Sequence, residues 1–427
     1  MIEKLLSRLA ISAAALLPLA HLTSLGMMET LGFLLFVTGV ALFSLEWLAA
    51  PSAAMGRLRT GAAGPIFGYT FFSLLSIGLM LEQTDHQLDA LRELKWVLYF
   101  FALMYFFHRY FTDAWVRYVP ALSVAVMLMG IFTLCQFLYG WEWPRSQSVL
   151  APWGSYFRVT GFFNLPQSIA GNLGMAVFFL LGIGLAGFSA HPQSAERASP
   201  FFVACVALGS LGVLLTLTRA AWVGLAVTLV VALARVHKKW GVIALLGMVL
   251  LVISSLYSGS IFGDRLSSDV VVNSKSIEVR LELWAANWQM FLSQPYLGVG
   301  PGQNLFQLGE VYAQAAVEHG VIDRAHNNVL EHLAAMGIFV ASLYLIVSGY
   351  FLWAAYCLSS RLNTDAFTRA IGAGSLLAQI YFHILGLVDS NFFDQEVKNS
   401  IVWFWALTAA MYIRARNDGA AESANEV

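Results

Sequence analysis

Apolar residues run continuously for about twenty positions at a time along almost the whole chain, punctuated by short polar or basic stretches. A helix needs roughly 20 residues to cross a bilayer core, whereas a membrane strand would alternate apolar and polar positions. The pattern predicts an all-α, polytopic integral membrane protein of about twelve transmembrane helices, at 9–26, 30–50, 64–81, 94–108, 116–139, 163–189, 200–218, 220–235, 240–258, 327–358, 367–388 and 398–414. The block 200–235 is too long for one crossing and carries Arg219 near its middle, so it divides there. Lys4 to Arg8 followed by an apolar run imitates a signal peptide, but no small-x-small cleavage site precedes His21, so the run reads as a retained first helix.

Twelve spans place both termini on one side. Lys4, Arg8, Arg57, Arg59, Arg109, Arg117, Arg197, Arg235, Lys238, Lys239, Arg361, Arg369, Arg414 and Arg416 then flank short loops of that side, which the positive-inside rule makes cytoplasmic. The organisation that follows is nine helices over 1–258, an external loop over 259–326, three helices over 327–414, and a small polar tail, 415–427, expected to be disordered. Composition agrees. Hydrophobic residues are 59% and charged residues 11%, against roughly a quarter charged in a soluble chain, so most of the surface does not face water. A net charge of −1 implies no attraction to nucleic acid. Cys135, Cys205 and Cys357 all lie in apolar runs and suggest neither disulfides nor a metal site.

The external loop is the longest, and a long loop in a compact fold is usually functional. Within it Ile277, Leu281, Trp284, Trp288 and Phe291 form an apolar stripe at helical spacing, with Glu278, Glu282 and Gln289 opposite. Two tryptophans on such a stripe suit a membrane interface. Arg280 stands at its edge, within reach of headgroups and of a cavity. The helix should break at Gln294-Pro295, where Gly298, Gly300 and Gly302 allow tight turns; a plain lid with an ordinary loop exit fits the same spacing. At the end of the loop Asp323 is placed to cap the next helix, which would put His326 in its first turn. There the helix dipole favours a neutral imidazole, able to accept a proton from a hydroxyl. A solvent-facing interfacial histidine is the alternative.

Arg219 lies at a boundary where an arginine costs roughly 2.5–3.5 kcal/mol on insertion scales, so it should face a cavity, or else snorkel from a short turn. A guanidinium fork suits phosphate oxygens. Arg158, Asn164, Pro166, Gln167 and Asn172 lead into the sixth span, as a broken helix lining a cavity or as a simple cap. Asp389, Asn391 and Asp394 read as a solvated external loop, and His383 as satisfying a backbone carbonyl. His319, His326 and His332 have no metal-ligand spacing, and neither an acidic pair nor a Walker loop is present. No metal or cofactor is expected.

Four patches together resemble the O-antigen ligase and polymerase superfamily of membrane glycosyltransferases. They are Arg158-Val-Thr-Gly-Phe-Phe-Asn-Leu-Pro-Gln; Thr218-Arg219-Ala-Ala-Trp222-Val-Gly224; Arg280-x-x-x-Trp284 with Pro295-Tyr-Leu-Gly298-Val-Gly300-Pro-Gly302; and His326-Asn327 followed after nine residues by Gly337. Val340 departs from the family's pattern. The resemblance implies a metal-independent, inverting transferase of the bacterial inner membrane. It would move a glycan from undecaprenyl pyrophosphate to the lipid A–core oligosaccharide at the periplasmic face. It also implies that Arg219 and Arg280, assisted by Arg158, bind the pyrophosphate and that His326 is the general base. The polymerase, a protein-glycosylating ligase and, from another class, a twelve-helix transporter are the rival readings. The short central loop near 190–199 and the late external loop tell against the transporter.

Overall fold

Three helix starts are written into single side chains. Ser24 accepts from the Met27 amide, Asn327 from those of Val329 and Leu330, and Asp365 from that of Thr368. Each oxygen satisfies a backbone N–H that the first helical turn leaves without an intrahelical partner. The computed structural model describes residues 2–79, 87–142, 150–153, 156–190, 200–257, 275–315, 324–360 and 364–425. Its helices in chain order are α1 (Ile2–Thr23), α2 (Leu25–Ala49), α3 (Pro51–Leu58), α4 (Ala63–Leu79), α5 (Gln87–Arg92) and α6 (Lys95–Tyr139). A two-stranded antiparallel ribbon follows, β1 (Ala151–Trp153) and β2 (Tyr156–Arg158). Then come α7 (Pro166–Ala190), α8 (Pro200–Leu215), α9 (Arg219–Val236), α10 (Lys238–Tyr257), α11 (Lys275–Ser293), α12 (Asn304–Ala315), α13 (Asn328–Ser360), α14 (Ala366–Gly386) and α15 (Gln395–Asn425).

The fold is all-α apart from that ribbon. Among the described residues six helices are long and apolar enough to cross a membrane, or seven if α3 and α4, bent by 77°, make one span. The chain is therefore a multi-pass membrane protein. Hydropathy predicts two spans where the structure has the single helical segment α6. His21 explains how both can hold. Its Nε2 lies 3.5 Å from the Tyr99 hydroxyl, and it lines one small cavity with Leu122. A straight helix would separate Tyr99 from Leu122 by roughly 35 Å. The segment therefore folds back between them.

At the centre lie α7, α14 and α15. On α15 every residue from Val397 to Ile413 is buried, although its polar ends make it far from the most apolar helix. Small residues allow the close approach. A Cβ on Gly182 would stand 2.6 Å from the Gly374 backbone, and the Tyr381 hydroxyl donates to the Ala170 carbonyl at 2.9 Å. Outward, large apolar side chains are exposed, among them Phe67 and Phe71 on α4 and Leu246 and Leu250 on α10. This is the surface of a protein solvated by lipid. The chain beyond Arg414, expected to be disordered, continues α15 to Asn425. Its alanines and the absence of proline sustain the helix.

Candidate functional site

The sequence around His326 dictates a sharp corner. Asn327 caps α13 with its side chain, so the helix begins two residues after the histidine rather than before it. Asp323, expected to be the cap, lies outside the described residues. His326 adopts φ 47°, a left-handed conformation that costs a non-glycine residue on the order of 1–2 kcal/mol. It therefore stands outside the first turn, and the dipole argument gives way to a specific contact. Nδ1 of His326 lies 3.2 Å from Oδ1 of Asp389, in the turn after α14. A carboxylate oxygen accepts, so in this contact Nδ1 of His326 is the donor. The loop of Asp389 and Asn391, expected to be merely solvated, is thus a structural partner of the histidine. Asn391 is buried, accepts from Asn328 at 2.6 Å and donates to the Phe382 carbonyl at 3.0 Å.

Below the pair sits Glu331, 2% exposed, which the sequence reading did not single out. Its Oε2 accepts from the Ala325 amide at 2.6 Å and the Ser390 hydroxyl at 3.1 Å. Its Oε1 accepts from Asn304 at 2.8 Å. One carboxyl group thus grips the residue before His326 and the residue after Asp389. Asn304 extends the network to Asn287 on α11 at 3.1 Å.

Gly337, the distal glycine of the histidine motif, has φ 74° and ψ −177° in the middle of α13. The helix breaks there, and the glycine loop 294–303 is laced into the gap. Val299 donates to the Ala334 carbonyl at 3.0 Å, Gly300 to Ala335 at 2.8 Å, and Ile338 to Pro295 at 2.9 Å. A Cβ on Gly337 would lie 2.2 Å from the Tyr296 carbonyl oxygen, and one on Gly298 2.4 Å from the Ala335 backbone. Glycine is required at both points by position, not by flexibility alone.

On α11 the packed face is Leu283, Ala286, Asn287 and Met290, all buried. The predicted stripe is turned outward, with Leu281 and Trp288 exposed and Trp284 half-buried. Arg280, seven residues before Asn287, lies at the edge of the packed face and is half-buried, roughly 10 Å along the axis from Asn287.

The third piece is the turn between α8 and α9. Leu217 has φ 52°, and Arg219 is the first residue of α9, half-buried. The Nε of Arg158, on β2, donates to the Thr216 carbonyl at 3.0 Å, and its Nη2 reaches the Thr218 hydroxyl at 3.5 Å. Gln136 fixes the approach to α7, donating to the Gly161 carbonyl at 2.8 Å and accepting from the Gly161 amide at 2.9 Å. Two guanidinium-bearing residues thus bracket one turn. A Cβ on Gly224 would meet Leu385 at 2.5 Å, one turn of α14 before Asp389, so Arg219 and His326 belong to the same end of the bundle. Among the described residues no group of three or more His, Cys, Asp or Glu is placed to hold a metal ion. The arrangement offers cations for a multiply charged anion and a carboxylate-held imidazole for proton transfer.

Residues 204–345 match the family described as O-antigen ligase. The matched stretch starts within α8 and ends within α13, so it takes in Arg219, Arg280, Trp284, Gly298, Gly300, His326, Asn327 and Gly337. Arg158 and Asp389 fall outside it. No curated protein matches the chain.

Proposed function

From its place in the O-antigen ligase family, carried by residues 204–345, we propose that the chain transfers a glycan from undecaprenyl pyrophosphate to the lipid A–core oligosaccharide. The observation that supports this most directly is the His326–Asp389 pair, at the same end of the bundle as Arg219 and supported through Glu331 by the helix that carries Arg280. In this reading the acceptor hydroxyl gives its proton to Nε2 of His326 as its oxygen attacks the anomeric carbon. The bond from that carbon to the pyrophosphate oxygen breaks with inversion. The charge gathering on the departing diphosphate is met by Arg219 and Arg280, with Arg158 shaping the turn that presents Arg219. Asp389 holds the imidazole in the tautomer the step needs. Electrostatic stabilisation by fixed guanidinium groups makes a divalent cation unnecessary for the step.

The reading also places the protein in the inner membrane with twelve spans. Both termini are then cytoplasmic, and the loop 259–326 and the site face the periplasm.

The test is complementation of a bacterium lacking its own ligase. Wild type should restore long glycans on lipid A–core, and His326→Ala and Asp389→Asn should leave the polymer on its lipid carrier. If the wild type instead only lengthens lipid-linked glycans in a polymerase-deficient strain, the acceptor is a second carrier-bound glycan and the ligase reading falls.

A further inference from the structure

The far end of the bundle holds a second polar constellation. Arg235 follows Arg219 by sixteen residues of α9, roughly 24 Å of helix, and Arg369 precedes Gly386 by seventeen residues of α14, roughly 25 Å. Both distances approach the ~30 Å thickness of a bilayer core, so these residues stand close to the opposite interface from His326. There the ends of α7, α9, α13 and α14 enclose a cavity of about 510 Å³. Arg235, Arg369, Ser359 and Ser360 line its polar part, and Leu185 and Leu377 its apolar part. Nη2 of Arg235 donates to both serine hydroxyls, at 3.0 and 2.8 Å, and Nη1 of Arg369 to the Thr364 carbonyl at 2.5 Å. Each guanidinium has five N–H groups, so these bonds orient the forks and leave other donors to face the cavity. The neighbouring carboxylate, Asp365, is committed to capping α14 through the Thr368 amide and hydroxyl. Arg235 and Ser360 are exposed at the mouth, and the exposed Lys238 and Lys239 follow Arg235 in the chain, at the start of α10.

We propose that this cavity binds the headgroup of an anionic glycerophospholipid. The two arginines and Ser360 would hold its phosphodiester, and Leu185 and Leu377 the start of its acyl chains. The chemistry fits each part. Guanidinium forks match phosphate oxygens. The Ser360 hydroxyl accepts from Arg235 and can donate to the phosphate, while Ser359, whose hydroxyl donates to the Tyr356 carbonyl at 2.9 Å, helps hold the Arg235 fork. A basic pocket between spanning helices at a membrane interface is where such headgroups settle. No aromatic ring lines the cavity among the described residues, so a nucleotide base would find no stacking partner. A zwitterionic headgroup would bring its own cation against two guanidinium groups.

The experiment uses the full chain in detergent, with phosphatidylglycerol, phosphatidylcholine or inorganic phosphate added, read by native mass spectrometry and by thermal unfolding. The wild type should retain phosphatidylglycerol and melt at a higher temperature with it, while phosphatidylcholine and inorganic phosphate do neither. At about fivefold per charge, Arg235→Ala with Arg369→Ala should weaken phosphatidylglycerol binding roughly 30-fold. Two outcomes would overturn the proposal: equal retention of both lipids by the wild type, or inorganic phosphate alone giving the same rise in melting temperature. The wild-type measurements stand whether or not the double variant folds, and neither readout depends on glycan transfer.

Discussion

At the scale of the residue, the informative geometry is the corner at His326. A histidine forced to φ 47° by the cap that follows it is aimed, and Asp389 fixes which nitrogen bears the proton. Asp389→Asn keeps the shape, but its side-chain amide can donate to Nδ1 and so favours the other tautomer. Glycan transfer should fall about a hundredfold or more, as loss of a positioned base does, with the melting temperature nearly unchanged. A paired comparison of initial rates and thermal melts checks both halves. Glu331→Ala should behave differently. It leaves Asn304, Ser390 and the Ala325 amide without their acceptor in a buried site, at about 1–3 kcal/mol each if unrelieved, and should lower the melting temperature by several degrees or more. His326 was visible in the sequence because it sits at the junction of a long loop and an apolar run. Asp389 was not, since it lies 63 positions away in a loop whose polar residues look like ordinary solvated ones. The usable signal was an Asp-Ser-Asn triplet abutting the end of a span, where polar groups must find partners at a membrane boundary.

At the scale of the element, hydropathy carries the helices well, because a lipid environment demands long uninterrupted apolar runs. Near the protein–lipid boundary the same logic misassigns faces. The strongest apolar stripe of α11, with Leu281 and Trp288, looks outward, while the protein packs on Leu283, Ala286, Asn287 and Met290. In water the most apolar face is the buried one; beside lipid that rule is inverted. The lacing of 294–303 into α13 leaves no periodic trace either, because it joins segments about forty residues apart through backbone groups that any sequence possesses. Its only marks are the glycines, and they carry the next prediction. Gly337→Ala asks an alanine to adopt φ 74° and ψ −177° with its Cβ 2.2 Å from a carbonyl oxygen. The loop should be expelled from the helix gap. Limited proteolysis should then cut within 294–303 in the variant under conditions that spare the wild type, and transfer activity should be lost.

At the scale of the whole molecule, the centre is built on close contacts rather than on the most apolar helix. Gly182→Leu drives a side chain into the Gly374 backbone where α7 crosses α14, and should destabilise by about 1–3 kcal/mol or prevent folding. Gly247→Ala, on the lipid-facing α10 with no atom within 4 Å of the added Cβ, should be neutral or stabilise by up to about 1 kcal/mol. Melting curves in one detergent distinguish the two, and similar losses from both would refute this account of the core. The loop woven into α13 also imposes an order on synthesis. The amides of Val299 and Gly300 find their acceptors only in Ala334 and Ala335, which leave the ribosome later. Until that helix is made, the loop 294–303 has no seat. The part of the site carried by α11 and this loop therefore cannot mature as an independent unit before α13 is made. A nascent chain arrested before residue 328 should expose 294–303 to protease, and one arrested after α13 has inserted should protect it.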